Sequence, residues 1–166
     1  MGQPDIGSVR DLVCYRIETA KNDLKVAVML LSEKEYRAAN NRAYYAIFHA
    51  ILAIHALDGR TYKRHKDALA NFNKEYIRME IFPRSFGRKI MEAEQIRHAS
   101  DYDDFYIATK EEAEEQIATA KELIELIEAY CLNSYFHNSS NLLANHLAHG
   151  YIFLHKTRGL CKNVFI

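Results

Sequence analysis

Apolar residues recur every three or four positions along two long segments that only a few residues separate. The first segment carries Val9, Leu12, Val13, Ile17, Ala20, Leu24, Ala27, Val28 and Leu31. The second carries Tyr36, Ala43, Tyr44, Ile47, Ala50, Ile51 and Ile54. This spacing predicts two amphipathic helices. Because a short turn makes such helices lie antiparallel, we expect a helical hairpin against which later helices can pack.

Capping signals predict where these helices begin and end. Ser8 and Asp11 suit the start of the first helix, and the Ser-Glu-Lys-Glu run at 32–35 reads as a capping box that opens the second. Turn residues at 57–59 end the second helix. The run at 109–112 is another capping box, so we expect it to open the clearest amphipathic helix of the chain.

Two further helices are predicted between these long ones. One runs from about Lys66 to Met79. Its apolar side holds Leu69, Phe72 and Tyr76. The next has Pro83 in its first turn and ends near Ser100. With only two prolines and six glycines in 166 residues, the composition favours helix over sheet, and the predicted fold is an all-α, up-and-down bundle of about five helices.

The chain is long enough for one domain, which we place at 8–132. A polar stretch that begins after Leu132 reads as a linker to a C-terminal extension, 133–166, which adds one further helix. No run of about 18 apolar residues occurs, and the N-terminus lacks the apolar core of a signal peptide, so we expect a cytoplasmic protein that does not enter the membrane. Three widely spaced cysteines, Cys14, Cys131 and Cys161, predict buried thiols rather than disulfides.

One unusual motif lies in the second helix, NRAYYAIFHA at 41–50. Arg42, Tyr45 and His49 occupy positions i, i+3 and i+7, so they share a face that differs from the apolar one. A polar groove that binds a ligand is one interpretation. Aromatic packing at a helix or subunit interface, with the polar tips hydrogen-bonded, is the other.

A second motif lies at the end of the fourth helix, where Arg97 and His98 are followed by Ala-Ser-Asp-Tyr-Asp at 99–103. The motif at 41–50, this arginine about fifty residues later, and the capping box behind it together resemble bacterial and archaeal HEPN proteins over about residues 8–132. The resemblance implies a homodimeric helical bundle. It also implies a minimal nucleotidyltransferase partner, encoded nearby, in a toxin–antitoxin or nucleotide-handling pair.

The resemblance further implies a site at Arg97. In many HEPN proteins, which are metal-independent ribonucleases, an arginine is followed after roughly four to six residues by a histidine that can act as general base. Here those positions hold Tyr102, Asp103 and Asp104. Tyrosine titrates near ~10, which makes it a poor base at neutral pH. No histidine therefore stands at the position of the general base, and His98 or His49 are the candidates to take that role.

An ion pair is the plainer interpretation of this second motif. Arginine suits a helix C-terminus and Asp101 suits a turn, so the two can simply close the helix while Tyr102 anchors the loop. We predict Arg97 and His98 as candidate catalytic residues. Candidate ligand-binding residues are Arg42, Tyr45, His49, Asp101 and Tyr102.

Charge patterning adds little to these candidates. The first 132 residues hold 19 basic and 22 acidic side chains, so the domain is not a general nucleic-acid binder. Two short basic runs, at 60–66 and 84–89, are interpreted as solvated loop surface, and binding of RNA or nucleotide phosphates is the alternative. Histidines in the tail lack matching ligands, so we predict no metal and no cofactor.

Three functions remain open from the sequence. The first is a dimeric HEPN binding subunit that acts with a nucleotidyltransferase and contacts RNA or nucleotide phosphates through Arg97. The second is a metal-independent ribonuclease toxin with a displaced base. The third is a structural dimerisation module, which the apolar stripes would explain by themselves.

Overall fold

The computed structural model describes the backbone of residues 7–147 and the side chains of 7–135. Five α-helices follow one another in this part of the chain: α1 (Val9–Ser32), α2 (Tyr36–Leu57), α3 (His65–Phe72), α4 (Ser85–Tyr102) and α5 (Lys110–Leu147). The described residues contain no strand, which confirms the predicted all-α bundle.

The central helix of the bundle is α2, which packs against all four other helices. Its Ile47, Ile51 and Ile54 are fully buried. The expected hairpin is confirmed, because α1 lies along α2 after a turn of only three residues. Since partners cover α2 on most sides, only a narrow strip of its surface remains accessible, and that strip carries Arg42, Tyr45 and His49.

The apolar stripe predicted on α1 is only partly buried. Val13, Ile17 and Ala20 face the core, whereas Val9 and Val28 are about half exposed. Leu12 is exposed as well. In place of a further apolar residue, the buried face of α1 carries Asp23, whose partners are described below.

The two helix starts predicted on the hairpin differ in outcome. Ser8 and Asp11 cap the start of α1 as predicted, and they do so as a reciprocal capping box. The box predicted at 32–35 is wrong, because Ser32 is the last residue of α1 and α2 has no side-chain cap. Instead Lys34 adopts a left-handed conformation with φ of 65°, and the Glu35 amide donates to the carbonyl of Leu30. Backbone groups thus close α1, and the Ser32 hydroxyl adds a bond to the Met29 carbonyl at 2.6 Å.

The third helix has the predicted apolar side, but its last part is not α-helical. Leu69, Phe72 and Tyr76 are buried as expected. After Phe72 the chain continues as one π-helical segment, Asn73–Ile77, which the residue pattern did not indicate. Pro83 lies just before α4 rather than in its first turn, and α4 ends at Tyr102, two residues later than predicted.

The last helix is longer than predicted. The hydroxyl of Thr109 accepts from the Glu112 amide at 3.2 Å, which confirms a cap at the start of α5. The helix then runs to Leu147, so the expected linker after Leu132 is wrong within the described residues. The division into 8–132 and 133–166 stays a prediction. The predicted extra helix and the tail histidines lie mostly beyond residue 135, where the side chains are outside the described part.

Two remaining features of the bundle concern its thiols and its helix surfaces. Cys14 and Cys131 are buried, as predicted, and burial raises the pKa of Cys131 to about 12, so this thiol stays protonated at neutral pH. Cys161 lies outside the described residues. No helix in the described part of the chain combines the length and the apolar composition needed to cross a lipid bilayer.

Candidate functional site

A buried carboxylate on α1 holds two side chains of the accessible strip of α2. Asp23 is only 6% exposed, and its Oδ1 accepts from Arg42 Nη1 at 3.1 Å. Its Oδ2 lies 2.8 Å from His49 Nδ1. A buried charge without partners would be strongly destabilising, and here each carboxylate oxygen has one. Asp23 therefore fixes the position of both side chains.

Tyr45 lies at the centre of the cluster. Its ring centroid is 5.4 Å from the guanidinium carbon of Arg42 and 6.0 Å from that of Arg97. The imidazole rings of His49 and His65 lie at 6.2 and 6.1 Å from it. Side chains of α2, α3 and α4 thus meet at one aromatic ring. We call the five side chains of Arg42, Tyr45, His49, His65 and Arg97 the Tyr45 cluster.

Arg97 reaches the Tyr45 cluster from α4. Its Nη2 lies 3.5 Å from the Tyr45 hydroxyl, at the outer limit of a hydrogen bond, and 2.9 Å from Asp101 Oδ2. The ring of Tyr102 packs 5.7 Å from its guanidinium carbon. The predicted helix-end ion pair is therefore present. Both printed contacts use Nη2, and the buried Nε has no hydrogen-bond partner among the described residues, so a bound anion could use the other nitrogens of the guanidinium.

The last turn of α4 and the residue that follows it are fastened to α2. Arg37 donates to the carbonyls of Ser100 and Asp103, at 2.9 and 2.8 Å. Asn41 Nδ2 donates to Asp101 Oδ1 at 2.6 Å. Because α2 holds this end of α4 at several points, Asp101 is fixed beside Arg97, while Tyr102 remains 68% exposed.

His65, the first residue of α3, is the member of the cluster that the sequence analysis missed. Its ring stacks on Phe48 at 3.8 Å, and its Nδ1 lies 3.3 Å from the Tyr44 hydroxyl. Burial, followed by the positive charges of Arg97 and His49, lowers the pKa of His65 below its ordinary value. The imidazole is therefore mainly neutral at pH 7.

Tyr44 keeps its proton at neutral pH. Burial, with a smaller contribution from the negative charge of Glu94, raises the pKa of Tyr44 to about 12. Its side chain is only 2% exposed. The hydroxyl therefore reaches His65 as a protonated group inside the bundle.

His98 occupies a different position from Arg97. Since α4 continues to Tyr102, the helix has not ended at His98, and neighbouring helical residues point about 100° apart. The exposed ring of His98 packs against Tyr102 at 4.9 Å. Of the two candidate replacements for the family histidine, His49 is the one that contacts the Tyr45 ring.

The two basic runs lie outside the Tyr45 cluster apart from His65. Arg60 donates to Asn71 Oδ1 at 3.0 Å. Arg88 and Lys89 pair with Glu92 and Glu122, at 3.5 and 3.3 Å. Arg88 is 78% exposed, in keeping with a solvated surface.

The residue pattern carried no signal that would have placed His65 in the cluster and only an indirect one for Asp23. Asp23 is one acid on a helix with other charged residues, and His65 sits inside a basic run. Their roles depend on which helices pack together. The only clue to Asp23 was its position on the apolar face of α1, where an unpaired acid would be costly.

Several proteins of known name are similar in sequence to this chain. A relative from Methanocaldococcus jannaschii named "Putative toxin MJ0605" is 31% identical over 119 residues, which are 72% of this chain and 88% of the relative. A second from the same organism, "Putative toxin MJ0142", is 32% identical over 59% of this chain and 67% of its own length. A Thermotoga maritima protein named "UPF0332 protein" is 26% identical over 70% of this chain and 89% of its own length.

The family model described as the HEPN domain matches residues 13–130. That range contains the whole Tyr45 cluster together with Asp23, and it runs from α1 into α5. By this match, the chain belongs to the HEPN domain family.

Proposed function

We propose that this chain is a toxin-like HEPN protein whose Tyr45 cluster binds the phosphates of RNA or of a nucleotide. It acts as a homodimer together with a minimal nucleotidyltransferase, in a two-component toxin–antitoxin or nucleotide-handling pair. The names of two relatives and the family membership support the toxin-like part of the proposal. The geometry at Arg97 supports the phosphate-binding part.

One observation carries the phosphate site: Arg97 is held in place through Nη2, yet its buried Nε has no hydrogen-bond partner among the described residues. Asp101 and Tyr45 engage Nη2, which limits the freedom of the side chain. Its side chain is 23% exposed, so a ligand can reach it. A preorganised guanidinium gives a phosphate charge-assisted hydrogen bonds at a small entropic cost.

RNA binding by the purified full chain tests this proposal. Fluorescence anisotropy with a labelled single-stranded RNA at about 0.15 M salt measures Kd. We expect Arg97→Ala to weaken binding by about tenfold or more, because it removes the guanidinium that the proposed site depends on. Arg88→Ala is the matched control on the same helix and should change Kd by less than about twofold. Equal losses in both variants would show non-specific electrostatic attraction instead.

The two-component part of the proposal has its own test. Induced expression of the chain should slow growth, and co-expression of a neighbouring nucleotidyltransferase gene should restore it. The nucleotidyltransferase should also co-purify with the chain. Light scattering on the purified chain measures whether it is a dimer. Growth inhibition that the partner does not relieve would contradict the pairing.

A second candidate function is metal-independent RNA cleavage. It is favoured by the two histidines that lie against the same ring as Arg97. Incubation of the protein with RNA in the presence of a chelator would measure this activity. The structural dimerisation module, in contrast, leaves the buried Asp23 and its two partners unexplained.

A further inference from the structure

We propose that a basic groove at the start of α4 binds the acidic, apolar loop that follows α4 in a second copy of the chain, so that copies join head to tail. The groove lies between the π-helical segment and α4, and the loop spans residues 103–109. This contact is separate from the phosphate site at Arg97 and does not depend on it.

The groove combines apolar surface with arginine side chains. It has a volume of about 460 Å³, and Ile77 and Met91 contribute apolar atoms to its lining. Arg78, Arg84 and Arg88 line it as well. Met91 is 53% exposed in the single chain, and methionine adapts readily to the shape of a partner. A segment that carries both apolar and acidic side chains therefore matches this lining.

The three arginines are accessible to carboxylates of another copy. Arg84 pairs with Glu80 and Arg88 pairs with Glu92, each across one helical turn. The side chains of these two arginines are 76% and 78% exposed, so water screens both pairs and they exchange readily. Arg78 is exposed and has no ion pair among the described residues. The groove can thus bind acidic side chains without the loss of a buried contact.

The loop between α4 and α5 presents two apolar side chains on an anchored backbone. Phe105 is 92% exposed and Ile107 is 83% exposed. Tyr106, which lies between them, is tied to the bundle because its hydroxyl is hydrogen-bonded to Glu112 and accepts from Asn40 Nδ2 at 3.2 Å. A single exposed apolar residue is ordinary, whereas two on one anchored segment indicate a contact surface.

The same loop is acidic. Asp103 Oδ1 accepts from the Phe105 amide at 2.9 Å, which holds the turn that presents the phenyl ring. Asp104 is exposed and has no ion pair in the part of the chain that the structure describes. Residues 103–109 include no lysine and no arginine. The charge and the apolar side chains of the loop therefore complement those of the groove.

The two surfaces lie at opposite ends of α4, so one chain cannot bring them together. The helix has 18 residues and is therefore ~27 Å long. A contact between different surface patches of two copies is heterologous, and it leaves a groove free at one end of the pair and a loop free at the other. Further copies can add until a ring closes or a chain grows.

The contact should be weak and should depend on protein concentration. One loop in one groove buries less than the roughly 1,200 Å² at which stable interfaces begin. We therefore expect self-association with a Kd of about 10 to 100 μM.

Complementation between two variants of the full chain tests the proposal. Arg78→Glu alters the groove and keeps the loop, whereas Phe105→Ser alters the loop and keeps the groove. Fluorescence anisotropy of a labelled copy, titrated with unlabelled copies, measures Kd. We expect each variant to bind itself at least about tenfold more weakly than wild type binds itself. Labelled Arg78→Glu should bind unlabelled Phe105→Ser with a Kd within about threefold of wild type, because that pair retains one intact groove and one intact loop.

Two variants on α1 are the matched controls. Lys25→Glu reverses an exposed charge, and Met29→Ser removes an apolar side chain that is 57% exposed. Each should bind itself with a Kd within about twofold of wild type. Dimerisation through another face contributes equally to every titration, so the difference between matched and mixed pairs reports the head-to-tail contact.

Binding that returns in the mixed pair, after its loss in both single variants, supports the proposal. A loss in Phe105→Ser that mixing does not restore would show that the loop meets something other than the groove, and would overturn it. Unchanged self-association in both variants would also overturn it, as would the absence of self-association by wild type well above the expected Kd. If Arg78→Glu weakened RNA binding as much as Arg97→Ala does, the groove would be a nucleic-acid site and the proposal would be wrong.

Discussion

The two sides of α2 are stabilised by different interactions, although their residues are only a few positions apart. On the core side, Ile47, Ile51 and Ile54 are fully buried among apolar neighbours. On the accessible strip, Tyr45 and His49 are only partly covered and depend on specific polar contacts. The core side gains free energy from the removal of apolar area from water, which is not directional. The accessible strip depends on the geometry of individual donors and acceptors.

This difference teaches where the chain can tolerate change. A core position tolerates another apolar residue of similar volume, because packing depends mainly on volume. Arg42 and His49 tolerate little change, because Asp23 accepts from a particular nitrogen of each. The same helix therefore carries the stability of the bundle on one side and its candidate site on the other.

The largest effect should come from the core side. Ile51→Ala removes buried apolar area and leaves a cavity, so we expect a loss of about 2 to 4 kcal/mol in the free energy of unfolding. Urea denaturation measures it. Met29→Ala, at a position 57% exposed on α1, should change stability by less than about 0.5 kcal/mol. Similar losses in both variants would contradict the assignment of the core.

Removal of the buried carboxylate should have the next largest effect. Asp23→Ala leaves Arg42 and His49 without their partner, and we expect a loss of about 1 to 3 kcal/mol. The same denaturation experiment applies. Glu18→Ala, an exposed carboxylate on α1, should lose no more than about 0.5 kcal/mol. An unchanged free energy of unfolding in Asp23→Ala would show that the contacts of Asp23 with Arg42 and His49 contribute nothing to stability.

His55, on the core side of α2, should make the free energy of unfolding depend on pH. Burial lowers the pKa of His55, although its contact with the Ala68 carbonyl acts in the opposite direction. The unfolded chain therefore takes up a proton near pH ~6.5 that the folded chain does not, and the free energy of unfolding falls as pH drops below that value. In His55→Gln this part of the decrease between about pH 7.5 and about pH 5 should disappear.

The control for the pH experiment is Ile51→Ala. That variant is less stable but keeps every titrating group, so its stability should depend on pH as in wild type. If His55→Gln retained the whole wild-type pH dependence, burial of His55 would not contribute to acid sensitivity.

The smallest effects should come from two adjacent hydroxyls. The Tyr44 hydroxyl is buried and bonded to His65, so Tyr44→Phe should cost about 1 kcal/mol. The Tyr45 hydroxyl has only a long contact with Arg97 at 3.5 Å, so Tyr45→Phe should change stability by less than about 0.5 kcal/mol. Thermal or urea unfolding measures both. The reverse order would mean that the contact between Arg97 and Tyr45 is stronger than its length indicates.

Much of the fold followed from local pattern. The helical hairpin, the capping box at Ser8, the cap at Thr109 and the buried side of α3 were all predicted, because each depends on residues within a few positions of one another. The box at 32–35 failed because backbone geometry at Lys34 closed the helix instead. The linker after Leu132 failed because polar residues are tolerated in a helix that continues from a stable one.

The sequence by itself determined that Arg42, Tyr45 and His49 share one strip, because helical periodicity depends only on spacing. It also indicated Arg97 and Asp101 as a pair, since they lie one turn apart. Only the tertiary structure placed Asp23 under that strip and His65 against Tyr45, because these contacts join α1 and α3 to α2 across 26 and 20 positions of the chain. Contacts of that range depend on how helices pack, and no local spacing encodes them.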